Sequence, residues 1–268
     1  MTLEKILSQL ENVNREGKNK IFTMYLNTDP TDPDQQGGKW RLQFKNGMRN
    51  FEEYLQKDQD KEELHSFQHV KHKVEKFMDE HEQHLQRSVI VFATADEEVW
   101  FAQCLQVRVK SEFYWQETAE TAQLETILQN YPMIGVVLVQ QNEIKVVEAK
   151  LNSIENTSHY EFDIDQENWH VKQSTSKVGQ AAAAKQKAGA QKDKFRAKFK
   201  ANLQRWYKTI APKLDKQAKE NEWQQTYIVG EKEVTTALKQ QMNQPVQSTI
   251  YKNMLDAEGD KVLAEIYG

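Results

Sequence analysis

The chain has 268 residues and sets 36 Lys and Arg against 40 Asp and Glu, a formal charge of −4, so at ~150 residues per domain one large or two modest domains are expected. With 38% hydrophobic residues and only 10 Gly and 5 Pro it is neither collagen-like nor a low-complexity tail. Its longest apolar run, Met133–Val139, is far short of the ~20 residues of a membrane span, no apolar signal core follows the N-terminus, and the single Cys104 closes no intrachain disulfide, which together predict a soluble protein of the reducing cytoplasm with no membrane partner.

Leu3, Ile6, Leu7, Leu10 and Val13 recur at helical spacing and predict an opening helix, followed after GKNK by a strand over Ile21–Leu26. The run NTDPTDPDQQGG is a loop. Its Asp29, Asp32 and Asp34 are interleaved with prolines and read as turn formers in preference to a magnesium site. Trp40, Phe44, Met48, Phe51 and Leu55 then form the stripe of a helix packed on a sheet. Residues 58–87 are polar apart from Leu64, Phe67, Val70, Val74 and Phe77 at helical steps. They include His65 and His69, one helical turn apart; no carboxylate or cysteine motif frames the pair, so a solvated helix is expected and no metal site. Ser88–Thr94, Val99–Cys104 and Val107–Val109 read as antiparallel strands, with Cys104 as a small core residue and not a nucleophile. These elements make a mixed-sheet N-terminal α/β domain, residues 1–120.

Within the second domain, residues 121–268, Leu124, Ile127 and Leu128 mark a short helix within Thr118–Gln129, and Met133–Val139 a buried strand. A turn at QQNEI leads back along Lys145–Leu151, and Tyr160–Ile164 and Trp169–Lys172 are further strands. From Ser174 the character changes. Residues 171–220 hold 14 Lys and Arg against Asp193, Asp215 and Glu220, a balance of +11, whereas the rest of the chain stands at −15. Such a split suits a segment that lies on a polyanion; charge alone also fits a solvated helix face. The run KVGQAAAAKQKAGAQ has Gly179, Gly189 and four alanines but no large apolar anchor. Beyond it, Phe195, Phe199, Leu203, Trp206, Ile210 and Leu214 form the core stripe of a long basic helix, with Lys192, Lys194, Arg196, Lys198 and Lys200 around its other side. Tyr207 falls off the stripe and is a candidate for stacking on bases. A strand at Tyr227–Val229, a helix over Glu231–Gln241 and an amphipathic segment Met254–Ile266 complete the chain.

No P-loop, G-x-G-x-x-G, G-x-S-x-G or H-E-x-x-H motif is present. In chain order, however, TMYLNTDP, YPMIGVVLVQQNEIKVVEA, KVGQAAAAKQKAGAQKDKFRAKF and TYIVGEKEVTTAL resemble bacterial members of the archaeo-eukaryotic peptide-chain release-factor superfamily over roughly residues 20–240. The AGAQKDKF stretch is similar to the superfamily's Vms-like group, which acts in ribosome-associated quality control.

The resemblance implies a ribonuclease-H-like release-factor middle domain whose protruding loop, here residues 174–194, carries a catalytic Gly-Gly-Gln or a variant of it into the peptidyl-transferase centre. On this chain the matching residues are Gly179 and Gln180, while Val178 stands where the first glycine is expected. The implied reaction is hydrolysis of the ester joining nascent peptide to tRNA on stalled ribosomes or large subunits. A tight turn supplies backbone N–H groups to the developing oxyanion, and a glutamine orients the water, without a cofactor or metal. Lys177, Lys185, Lys187, Lys192, Lys194, Arg196, Lys198 and Lys200 become contacts to rRNA and tRNA phosphates. The implied partners are the ribosome and peptidyl-tRNA, with the protein itself a monomer. Three other readings stay open: a non-catalytic hibernation or stress factor filling the same site, a tRNA 3′-end endonuclease, and an RNA-binding adaptor. Gln180 favours the enzyme. Val178, β-branched and ill-suited to positive φ, favours the occupant. The first domain shows no stop-codon-reading signature.

Overall fold

In the computed structural model, which describes residues 2–58, 60–163, 168–171 and 189–268, the two strands that bury every residue are β1 (Ile21–Asn27) and β2 (Ser88–Ala93). Their sequences, IFTMYLN and SVIVFA, offer no continuous polar face, so both sides of the strands must be covered. They lie at the centre of an antiparallel sheet of order β3-β2-β1-β4, with β3 (Trp100–Leu105) on β2 and β4 (Glu112–Gln116) on β1. On one face α2 (Lys39–Asp58) and α3 (Lys61–His81) bring Phe44, Met48, Leu55, Phe67, Val70, Val74 and Met78 onto Phe22, Met24, Leu26, Val89 and Val91. On the other, Tyr25 meets Phe92 edge to face and donates its hydroxyl to the Glu120 carbonyl at 2.8 Å, just before α4 (Ala122–Asn130), which lies against α1 (Leu3–Leu10).

Two expectations change here. Val107–Val109 forms no strand, although Val107 and Val109 are buried as the alternation suggested. Arg108 between them is drawn to the fully buried Asp29, donating from Nε and Nη2 to one carboxylate oxygen at 3.0 and 2.8 Å, and the fourth strand of the sheet is β4, which pairs with β1. The chain divides at 131/132, not at 120/121, because α4 stays with the first unit.

In the second unit, residues 132–268, the central strand is β5 (Ile134–Gln140). On one side β6 (Glu143–Lys150), β7 (Ser153–Asp163) and β8 (Asn168–Val171) follow as antiparallel neighbours. On the other, β9 (Gln225–Gly230) and β10 (Ser248–Ile250) run parallel, giving the order β10-β9-β5-β6-β7-β8. Strand alternation sends Val137, Val139, Ile144 and Val146 to a face covered by α5 (Gly189–Glu220) and α6 (Lys232–Lys239). It sends Ile134, Val136, Leu138 and Val147 to the face covered by α7 (Gly259–Tyr267).

Candidate functional site

β8 ends at Val171 and α5 begins at Gly189, so residues 172–188 connect the edge hairpin β7–β8 to α5. Lys177, Val178, Gly179, Gln180, Lys185 and Lys187 belong to that stretch and lie outside the described residues. Lys192, Lys194, Arg196, Lys198 and Lys200 fall on the first turns of α5, where the backbone is helical.

The root from which that stretch departs is well defined. α5 has 32 residues, about 48 Å at 1.5 Å per residue. Trp206, Tyr207, Ile210, Ala211, Leu214 and Ala218 are buried on the sheet. Trp206 stacks on Phe162, with ring centroids 5.8 Å apart, and Tyr207 donates its hydroxyl to the Gln141 carbonyl at 2.9 Å. Gln141 opens the two-residue turn between β5 and β6, at a φ of 40°, and the carbonyl of the next residue, Asn142, accepts from the Phe162 N–H at 2.8 Å. One residue pair of α5 therefore ties together the β5–β6 turn and the end of β7, beside the hairpin that leads into residues 172–188. Burial raises the Tyr207 hydroxyl well above the ordinary phenol range. This corrects its reading as a base-stacking residue: it is 2% exposed and belongs to the core.

The far end of α5 is closed as firmly. Trp223 N–H donates to the Ala218 carbonyl at 2.9 Å and Glu222 N–H to that of Lys219 at 3.4 Å, with Glu222 at φ 54°. This is a Schellman ending in which a glutamate occupies the left-handed position usually held by glycine. The Trp223 indole then lies over Gly135, where a Cβ would come within 2.1 Å of the ring. Its Nε1 donates to the buried Glu148 at 2.7 Å, as do Asn221 and Asn156 at 2.6 and 2.7 Å, so the carboxylate is satisfied by three neutral donors and is structural.

The remaining candidates also resolve into structure. Asp29 is pushed up by burial, but hydrogen bonds from Thr31 and Arg108 outweigh this and hold it below the usual carboxylate range. Asp32 closes a turn by accepting from the Asp34 N–H at 2.9 Å. His69 faces only Glu97, at 3.6 Å, and no group of three or more His, Cys, Asp or Glu among the described residues is placed to hold a metal. Burial pushes the Cys104 thiol up, away from thiolate reactivity. A cleft of about 330 Å³ between the 107–110 loop and α4 carries Arg108 and Lys110, but these are paired with Asp29 and Glu112. No helix among the described residues is long and apolar enough to cross a membrane.

A two-unit α/β chain whose second unit packs a long helix on a mixed six-stranded sheet is the architecture these observations define. Its sequence matches the model of the bacterial archaeo-eukaryotic release factor family 5 over residues 132–268, which is the whole second unit. It is 35% identical to the uncharacterized protein YocB of Bacillus subtilis (strain 168), over 99% of this chain and 98% of that protein. Two solved archaeal structures align over 99% of the chain at 12% identity. One is described as an archaeal protein (72% of it covered, TM-score 0.33), the other as the archaeal translation termination factor aRF1 (71%, TM-score 0.34). The chain belongs to the bacterial archaeo-eukaryotic release factors, family 5.

Proposed function

We propose that this protein acts on the ribosome in the cytoplasm, where the second unit, a ribonuclease-H-like middle domain, delivers Gly179 and Gln180 to the peptidyl-transferase centre and hydrolyses peptidyl-tRNA on stalled ribosomes or large subunits. The observation that carries this reading is the junction of a Gly-Gln segment with a long helix. Residues 172–188 sit between an edge hairpin and α5, whose later turns are fixed to the sheet through Trp206, Tyr207 and the Trp223 closure. A firmly rooted helix lets the segment ahead of it meet a distant target without unfolding the domain behind it. The strand order fits as well: an antiparallel β5-β6-β7 meander flanked on its other side by parallel β9 and β10 is the ribonuclease-H-like arrangement.

The chemistry asked of the segment is modest. Ester cleavage needs a positioned water and donors for the oxyanion, which a glutamine and turn N–H groups provide without a titrating side chain. The charge balance of +11 over residues 171–220 supplies phosphate contacts that hold the complex together. One specific feature favours a second reading, occupancy without catalysis: Val178 stands at the place of the expected first glycine. Incubation of the purified protein with stalled ribosome–nascent-chain complexes separates the readings. Free peptide with an intact CCA end is the expected product; a shortened tRNA means endonuclease action, and bound protein with neither product means an occupant.

A further inference from the structure

The two long helices of the first unit treat charge in opposite ways. Helices favour acids in the first turn and cations in the last. α3 obeys this: Asp60 caps it by accepting from the Glu62 and Glu63 N–H groups at 3.1 Å, both of those residues are acidic, and His81 stands in its last turn. α2 does the reverse. It has no acid in its first turn, and Lys39, Arg41, Lys45 and Arg49 all precede its first acid, Glu52. This happens in a unit that is otherwise acidic, with 16 Lys and Arg against 23 Asp and Glu over residues 1–131.

Contacts within the fold account for only part of the reversal. Arg41 is paired with Glu82 at 2.6 Å and Arg49 loosely with Glu53 at 3.5 Å, while Lys39 and Lys45 make no ion pair among the described residues. At 100° per residue, positions 39, 42, 45 and 49 fall within an arc of ~120° on the side away from the buried Phe44, Met48 and Leu55. Leu42, between the two lysines, is 63% exposed. Lys39 thus stands against the helix dipole and, like Lys45, has no ion-pair partner among the described residues, on either side of an apolar side chain that is mostly exposed. A polyanion that also offers apolar surface relieves both costs, and nucleic acid, with its phosphates, sugars and base faces, is such a surface. A single exposed leucine is too little to anchor a helix in a lipid interface.

We infer that this face of α2 is a second RNA-docking surface, on the first unit and independent of the basic segment 171–220. It rests on the ribosomal reading above. The test is binding of the full chain to purified bacterial ribosomes across a salt series, comparing wild type, the triple variant Lys39→Gln, Lys45→Gln, Arg49→Gln, and the double variant Lys192→Gln, Lys194→Gln. The triple variant is expected to lose affinity at least tenfold near ~100 mM salt and to flatten the slope of log affinity against log salt by about two to three. Its melting temperature should hold, since Lys39 opposes the helix dipole, Lys45 has no ion pair among the described residues, and Arg49 gives up only a loose, exposed pair with Glu53. An unchanged slope for the triple variant with a flattened one for the double variant would overturn the inference and leave the ribosomal reading intact. Absence of salt-dependent ribosome binding in the wild type would overturn both. Wild-type-like ribosome binding by the triple variant, together with lost binding to anionic lipid vesicles or to an acidic protein, would give the face to that other partner.

Discussion

The two halves of α5 contrast more sharply than any two separate elements of the molecule. From Asn202 onward the helix belongs to the core: Trp206, Tyr207, Ile210, Ala211, Leu214 and Ala218 are buried, and the cations Arg205 and Lys208 stay exposed. In residues 189–200 the sequence instead sets Lys192, Lys194, Arg196, Lys198 and Lys200 against the single acid Asp193. One continuous helix thus carries an anchor at one end and a dense positive charge at the other. If the basic end meets RNA, as proposed, stability and partner binding are separable along this element, and substitutions along its length should sort accordingly.

The largest effect on stability belongs to the anchor. Trp206→Ala removes a fully buried indole stacked on Phe162 and should destabilise the second unit by about 3–5 kcal/mol, read as a drop in its denaturation midpoint. Next is Tyr207→Phe, which loses the bond to the Gln141 carbonyl and should cost about 1 kcal/mol. That residue also has a pH signature. The folded state raises its hydroxyl above the unfolded value near ~10, so its contribution is complete below that pH and is lost as pH rises beyond it. Wild type should lose stability on going above pH ~10 more steeply than Tyr207→Phe. Smaller and opposite in sign is Glu222→Gly, which relieves a non-glycine left-handed residue at the Schellman ending and should stabilise by up to about 1 kcal/mol in the same assay. At the other end of the helix, Lys192→Gln with Lys194→Gln should leave stability within about 0.5 kcal/mol while flattening the salt dependence of ribosome binding by about one unit per lost contact. A large fall in melting temperature from the lysine pair would erase the distinction between the halves.

Much of this was legible in the sequence where periodicity is strong. The stripe Leu203, Trp206, Ile210 and Leu214 is on the core side, and β1, β2, β5, β6 and β9 fall on the apolar or alternating runs that predict them. Tyr207 was hidden because the face buried on the sheet is wider than a single stripe and also takes in Ala211 and Ala218. β4 was hidden because it is an edge strand, mostly half-buried, with the pattern EFYWQ. The competing Val107–Val109 alternates convincingly, yet the long-range pull of Asp29 on Arg108 is invisible to a local pattern. β10, three residues long, is too short to carry a period. The charge on α2 was in plain view, but its meaning depends on knowing where the helix begins. As for the candidate site, the order of short motifs pointed to the release-factor superfamily that the family match establishes, whereas the roles of Gly179 and Gln180 rest on chemistry and family resemblance.

The central claim is that Gln180 orients the hydrolytic water. The direct measurement is peptide release from stalled ribosome–nascent-chain complexes by wild type and Gln180→Ala, with ribosome binding followed in the same samples. Release should fall ~10²-fold or more at unchanged binding, because the loss lies in the transition state and not in the complex. Equal release by the two proteins would contradict the account.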